Sequence, residues 1–370
     1  MIDTRREQET PRSSDKRMLW IRDLDALRTE GTAATLDAEF GSEVAVAGLL
    51  DYADGAIRCS RVMVEVDAAG MYRYFLRLKL PAPQAQAPSQ GTARGYIFPK
   101  GAVGELLALF SLFLEARLYL LSISHLASGP DTLPIKQEVR PLRGAFGPDL
   151  DRVVFAGTER NFATALGSFL DQIRSIPAEK HQAVAFATSH YARALRQIGL
   201  DEEMVFVRLV SAVESLAQGQ PIPDDRVDGA SLEQRLCLDR LSPDEREEIT
   251  TSLRTRRTKA RFVAFLQQFC IGFFDREPRE PQRTQVTPET LGAVAKAVYD
   301  ARSAYLHSGD PMYLSLRIHD RPGRHMDPFS GMTWQDRAFR RREKLPYADF
   351  FHRLIRHCLL AYIRALPPTG

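Results

Sequence analysis

The chain has 370 residues, 44% of them hydrophobic and 26% charged, with a formal net charge of +3. That length suits two domains better than one, and that balance excludes wholesale disorder and fibrous repeats. The small net charge hides an asymmetry: residues 251–370 carry 21 Lys and Arg against 11 Asp and Glu, and the remainder carries 29 against 36. A polyanion-facing surface is therefore expected in the C-terminal third.

In chain order, the first thirty or so residues are polar and read as frayed or helical, with Arg5, Arg6, Lys16, Arg17 and Arg22 but no apolar core of a secretory signal. From residue 43 the pattern turns to short β-rich runs, at 43–52, 56–66 and 71–80. The last two flank Asp67-Ala-Ala-Gly70 and read as a hairpin. Residues 81–94 are a low-complexity connector. Residues 103–126 read as one long buried helix; Glu105, Glu115 and Arg117 deny it the ~18 clean apolar residues of a membrane span. Residues 129–148 are broken by prolines and glycines, and 135–140 and 152–155 read as further strands. The expectation for residues 1–155 is an α+β domain, a small sheet packed on helix, with no nucleotide-binding glycine loop. The four cysteines, Cys59, Cys237, Cys270 and Cys358, lie far apart with no CxxC pair, which argues against a zinc ribbon or disulfide scaffold. A reduced, soluble, cytoplasmic protein with no membrane contact is expected.

Beyond about residue 161 the periodicity becomes helical. Candidate helices run over 161–175, 178–198, 202–218, 232–241, 244–269, 289–307 and 347–366. Asp201, Ser242-Pro243 and Thr287-Pro288 supply start signals. The most informative segment is 298–309. Its apolar stripe runs Leu291, Val294, Val298, Tyr305, and Arg302 falls at the edge of that stripe. Gly309 is placed to stop the helix, so His307 sits in the last turn, where the negative end of the helix dipole favours its protonated form. From these residues alone, Arg302 either binds an anion or pairs with a carboxylate, and His307 either shuttles protons or caps carbonyls.

Arg302 and His307 form an Arg-x4-His motif within Tyr299-Asp-Ala-Arg-Ser-Ala-Tyr-Leu-His-Ser-Gly309, and Phe206-Val-Arg-Leu-Val-Ser-Ala-Val-Glu-Ser-Leu216 supplies a helix with an Ala-Val-Glu triplet. These segments resemble HEPN-domain proteins, in particular the ApeA-like HEPN group, over roughly residues 180–366. The resemblance implies an all-α HEPN-like bundle over 156–370 and metal-independent RNA cleavage without a cofactor, as in toxin–antitoxin or anti-phage defence effectors. It also implies a homodimer through that bundle and an inhibitor or activator protein as partner. Arg302 and His307 would be catalytic, with Glu214, Ser303 and Tyr305 supporting. Ser303 departs from the Asn, Asp or His often found at that position. A five-residue step puts Arg302 and His307 about 140° apart and ~7.5 Å along a regular helix, so two copies across a two-fold axis serve one phosphate better than one copy does.

Glu214 falls on a buried stripe and wants a partner, either Arg302 or else Arg208 or another arginine. Two basic runs complete the candidates: Arg254, Arg256, Arg257, Lys259 and Arg261, then Arg340, Arg341 and Arg342 with Trp334 and Phe339 nearby to stack bases. No His, Cys, Asp and Glu set has metal spacing. The competing expectation is a non-catalytic HEPN module that binds a nucleotide, RNA or partner protein.

Overall fold

Along residues 34–40, Ala34, Leu36, Ala38 and Phe40 alternate with Thr35, Asp37 and Glu39, which an extended strand turns into one apolar and one polar face. This strand becomes central to the sheet. The computed structural model describes residues 16–31, 34–42, 44–62, 71–81, 101–127, 135–138, 160–161, 165–198, 200–218, 242–275, 286–312 and 345–369. The N-terminal region runs α1 (Leu19–Glu30), β1 (Ala34–Ser42), β2 (Val46–Ala47), β3 (Leu50–Tyr52), β4 (Ile57–Arg61), β5 (Tyr72–Leu80), α2 (Gly101–Leu114), β6 (Leu118–Ala127), β7 (Ile135–Glu138) and β8 (Arg160–Asn161). Six strands form an antiparallel sheet in the order β3-β4-β5-β1-β6-β7, and β2 pairs with β8 in parallel. Helices α1 and α2 pack on each other and reach β5 and β6.

The pairing of β4 with β5 bears out the expected hairpin; its 67–70 loop lies outside the described residues. The expected connector beyond Pro81, the 152–155 strand and the 232–241 helix lie outside them too. Three expectations need correction. The β-rich region begins at Ala34, not 43, because β1 is built largely of small and acidic residues whose extended form is rewarded by ladders on both sides. The single helix expected over 103–126 is a 14-residue helix followed by a 10-residue strand. Glu115 has φ 53°, a left-handed conformation that ends α2, and Leu118 onward gains the full β1 ladder by extending. The helix expected from 161 starts at Leu166, since Arg160 and Asn161 pair with β2.

The mostly helical remainder comprises, among the described residues, α3 (Leu166–Ser175), α4 (Ala178–Gln197), α5 (Glu202–Ala217), α6 (Pro243–Phe269), α7 (Pro288–Ser308) and α8 (Ala348–Ala365). The start signals operate locally as read. Asp201 accepts from Met204 N, and Ser242 and Thr287 each close a capping box with Glu245 and Thr290. Helices α4 and α5 form a hairpin whose turn is closed by the N–H groups of Leu200 and Asp201, both donating to Gln197 O. Helix α5 then packs against α6, α7 and α8. Phe206 stacks on Phe351 at 5.2 Å between ring centres, and Phe265, Phe269 and Tyr362 interlock.

The apolar core runs without interruption from the sheet through α2 into the helices, across the expected 155/156 boundary. Helix α2 packs on α4, and Arg356 of α8 donates to Leu112 O (2.7 Å) and Phe113 O at the C-terminal end of α2. Buried Arg117 donates to Ile198 O at the end of α4, and Arg196 of α4 donates back to Leu118 O. Arg356 and Arg117 thereby satisfy carbonyls that the ends of α2 and α4 would otherwise leave orphaned, and Arg196 ties α4 to the first residue of β6. Among the described residues, no helix is long and apolar enough to cross a membrane.

Candidate active site

Helix α7 presents the motif. Leu291, Ala295, Val298 and Tyr299 are buried, so the helix is clamped along one side and Arg302 is carried to the edge of the core. Gly309 ends the helix in a left-handed conformation, φ 71°, its N–H donating to Ala304 O. The chain then folds back so that Met312 N donates to Glu203 Oε1 in the first turn of α5. Tyr305 is half-buried on that side, under the influence of Glu203 and Asp201, whereas Leu306 and His307 are exposed.

The arginine is held firmly. Arg302 Nη2 donates to Glu214 Oε2 at 3.1 Å, and both side chains are only 17% exposed. Tyr299, one turn earlier, donates its hydroxyl to the other carboxylate oxygen, Oε1, at 2.9 Å, and its ring lies 5.9 Å from the Arg302 guanidinium carbon. Burial and then the Glu214 charge push the Tyr299 phenol well up, so it remains the donor in this bond. Glu214 is thus gripped from two sides, and it in turn fixes the guanidinium. Arg302 Nε is buried without a hydrogen-bond partner.

Of the expected residues, the structure brings Arg302 and Glu214 together, on α7 and α5, and places His307 in solvent at the end of the same helix. Ser303 and Tyr305 lie half-buried between Arg302 and His307 along α7. His307 stands exposed, whereas the Arg302 side chain is taken into the ion pair. Arg208 does not pair with Glu214; it lies by Arg193 and His190 instead. Lys259 is not a spare cation, because its Nζ sits 2.6 Å from both carboxylate oxygens of Asp300. Arg261 is half-buried. Arg254, Arg256 and Arg257 lie on α6, but their side chains, and all of Arg340, Arg341 and Arg342, fall outside the described residues.

The residue missed by reading the sequence is Tyr299. Its signal was there: it stands three before Arg302, on the neighbouring position of the same helical face. What was not visible is that one carboxylate serves both. Among the described residues, no three His, Cys, Asp or Glu side chains are grouped to hold a metal ion. No protein-family model, no curated protein and no solved structure matches this chain, so the likeness to HEPN proteins rests on the chain's own motif residues.

Proposed function

We propose that the chain is a metal-independent endoribonuclease of HEPN type, acting in the cytoplasm as a homodimer in the manner of a defence or toxin effector. The observation that carries this reading is the grip on Arg302. A guanidinium locked by Glu214 and Tyr299 is a preorganised cation, and an exposed histidine follows it at the end of the same helix. In the proposed reaction a ribose 2′-OH attacks the adjacent phosphorus. The O2′–P bond forms as the P–O5′ bond breaks, leaving a 2′,3′-cyclic phosphate and a free 5′-hydroxyl. One His307 takes the 2′ proton and the His307 of a second copy gives a proton to the departing 5′ oxygen. Arg302 stabilises charge growing on the phosphoryl oxygens. The internal nucleophile makes RNA the substrate and DNA inert.

The same ion pair favours a second reading. A guanidinium 17% exposed and bonded to a carboxylate is also what a non-catalytic binding module would keep to hold α5 against α7. Incubating RNA in EDTA with wild type and His307→Ala separates the two. Loss of the acid–base group should slow cleavage by about 10²–10⁴ with the fold intact, since His307 is exposed. Equal cleavage by the variant removes His307 from the chemistry, and a wild type that never cleaves puts the binding module first.

A further inference from the structure

Two arginine–carboxylate pairs in this molecule differ in one bond. On the sheet, Arg77 Nε donates to Asp37 Oδ1 at 2.7 Å and Arg77 Nη2 to Asp37 Oδ2 at 2.9 Å, so each nitrogen on that edge of the guanidinium has its own oxygen. The Arg302–Glu214 pair is the same fork half made. Nη2 donates to Oε2 at 3.1 Å, but Oε1 is engaged by the Tyr299 hydroxyl at 2.9 Å and Arg302 Nε is buried with no acceptor. Burial alone would give the reverse. The Arg77 side chain is 46% exposed and within reach of water, whereas that of Arg302 is 17% exposed, where an orphaned N–H costs more.

The difference lies in Tyr299. It stands three residues before Arg302 on the same helical face and is only 4% exposed. Its ring is tilted against Phe262 of α6, 5.5 Å between centres, and this seat delivers the hydroxyl to Glu214 across the α5–α7 contact. With Oε1 engaged there, Arg302 closes on one oxygen instead of two. Among the described residues, that is the one hydrogen bond Arg302 makes. A closed fork would pair the guanidinium fully and hold it against α5; the open one leaves N–H groups and more of the charge to a phosphate.

Resting on the reading of Arg302 as the group that stabilises the phosphoryl oxygens, we propose that Tyr299 is a positioning residue. Its hydroxyl holds Glu214 Oε1 away from Arg302 and keeps the guanidinium half-paired, ready to take a phosphate oxygen of the substrate strand. Tyr299 itself touches no substrate and moves no proton in the reaction.

The test uses the full chain with Tyr299→Phe, Glu214→Gln and the double variant. Phenylalanine keeps the ring on Phe262 and removes only the hydroxyl. Oε1 is then released, and Arg302 Nε–H should close on it. In side-chain spectra of protein carrying isotope-labelled arginine, the Arg302 Nε–H resonance, assigned by its loss in Arg302→Lys, should move downfield as that bond forms. Affinity for a 2′-O-methyl single-stranded RNA, which cannot be cleaved, is followed by anisotropy. It should fall about tenfold, the worth of one hydrogen bond to a charged group. In the Glu214→Gln background the side chain has one acceptor oxygen in place of two. Adding Tyr299→Phe there should leave resonance and affinity where Glu214→Gln alone puts them. A resonance that stays put in Tyr299→Phe overturns the positioning role, as does an affinity loss of equal size with and without the Glu214 carboxylate. A wild type that binds no RNA, with the resonance still moving in Tyr299→Phe, rejects the ribonuclease reading and upholds the hold of Tyr299 on Arg302.

Discussion

Glu105 and His190 show how burial moves a titratable group in opposite senses. Glu105 projects from α2 into the core, where its Oε2 accepts the Trp20 N–H at 3.2 Å and caps the start of α1. Burial pushes its carboxyl up to about 8 from 4.5, with the Asp23 charge adding to the rise and the backbone N–H groups opposing it. The folded state thus favours the protonated acid, so this group's contribution to stability is complete below about pH 4.5 and is lost as pH rises toward about 8. His190 runs the other way. Its folded value of about 4 lies below 6.5, so its contribution is complete above about pH 6.5 and is lost as pH falls toward about 4. Urea midpoints measured across this range without ligand should fall off on both sides for wild type. Glu105→Gln should flatten the alkaline side alone and His190→Gln the acid side alone; a variant that tracks wild type on its own side would refute the assignment.

At the scale of elements, α7 is defined by its ends. The Thr287 capping box starts it and Gly309 stops it, and the stop sets where His307 emerges. A Cβ on Gly309 would meet nothing within 4 Å, so the cost of Gly309→Ala is purely conformational, that of an L side chain at φ 71°. The expected loss is about 1 kcal/mol, read from a chemical-denaturation midpoint. Hydrogen exchange in the last turn of α7 should quicken with it, because the fold-back onto Glu203 starts from that glycine. A full-strength last turn and an unchanged midpoint would mean the helix ends by its tertiary contacts alone. Helix α6 approaches α7 closely at another glycine: a Cβ at Gly292 would come within 2.9 Å of the Gln267 side-chain nitrogen.

For the whole molecule, the continuous core makes the sheet and the helices depend on each other. Arg356 bonds the end of α2 from α8, His181 of α4 accepts the Met18 N–H at the start of α1, and Arg174 of α3 binds Asp25 of α1 at 2.7 Å. Residues 156–370 expressed alone would lose α2 from the flank of α4 and leave its apolar residues in water. That fragment should aggregate or show no sharp melting transition, whereas the full chain should melt once, with calorimetric and van't Hoff enthalpies in agreement. Two separate calorimetric transitions in the full chain would instead establish two independent units.

What the sequence determined by itself is what neighbours along the chain decide. Asp201, Ser242 and Thr287 bond to groups three residues away, and Gly309 to a carbonyl five away, so helix starts and stops were legible without any tertiary knowledge. The Arg302 to His307 spacing and the partner-seeking Glu214 were legible for the same reason. Tertiary structure alone decided the rest. Residue 115 breaks a run whose hydrophobicity suits a helix as well as a strand, and the choice was made by a β1 ladder roughly eighty residues distant. Glu214 chose Arg302 over Arg208 across 88 positions, and Tyr299 joined it across 85. Such pairings depend on which helix faces pack together, and no local pattern of residues specifies that: a short-range bond is chosen by the few atoms within its reach, a long-range one by the whole core that brings its partners together.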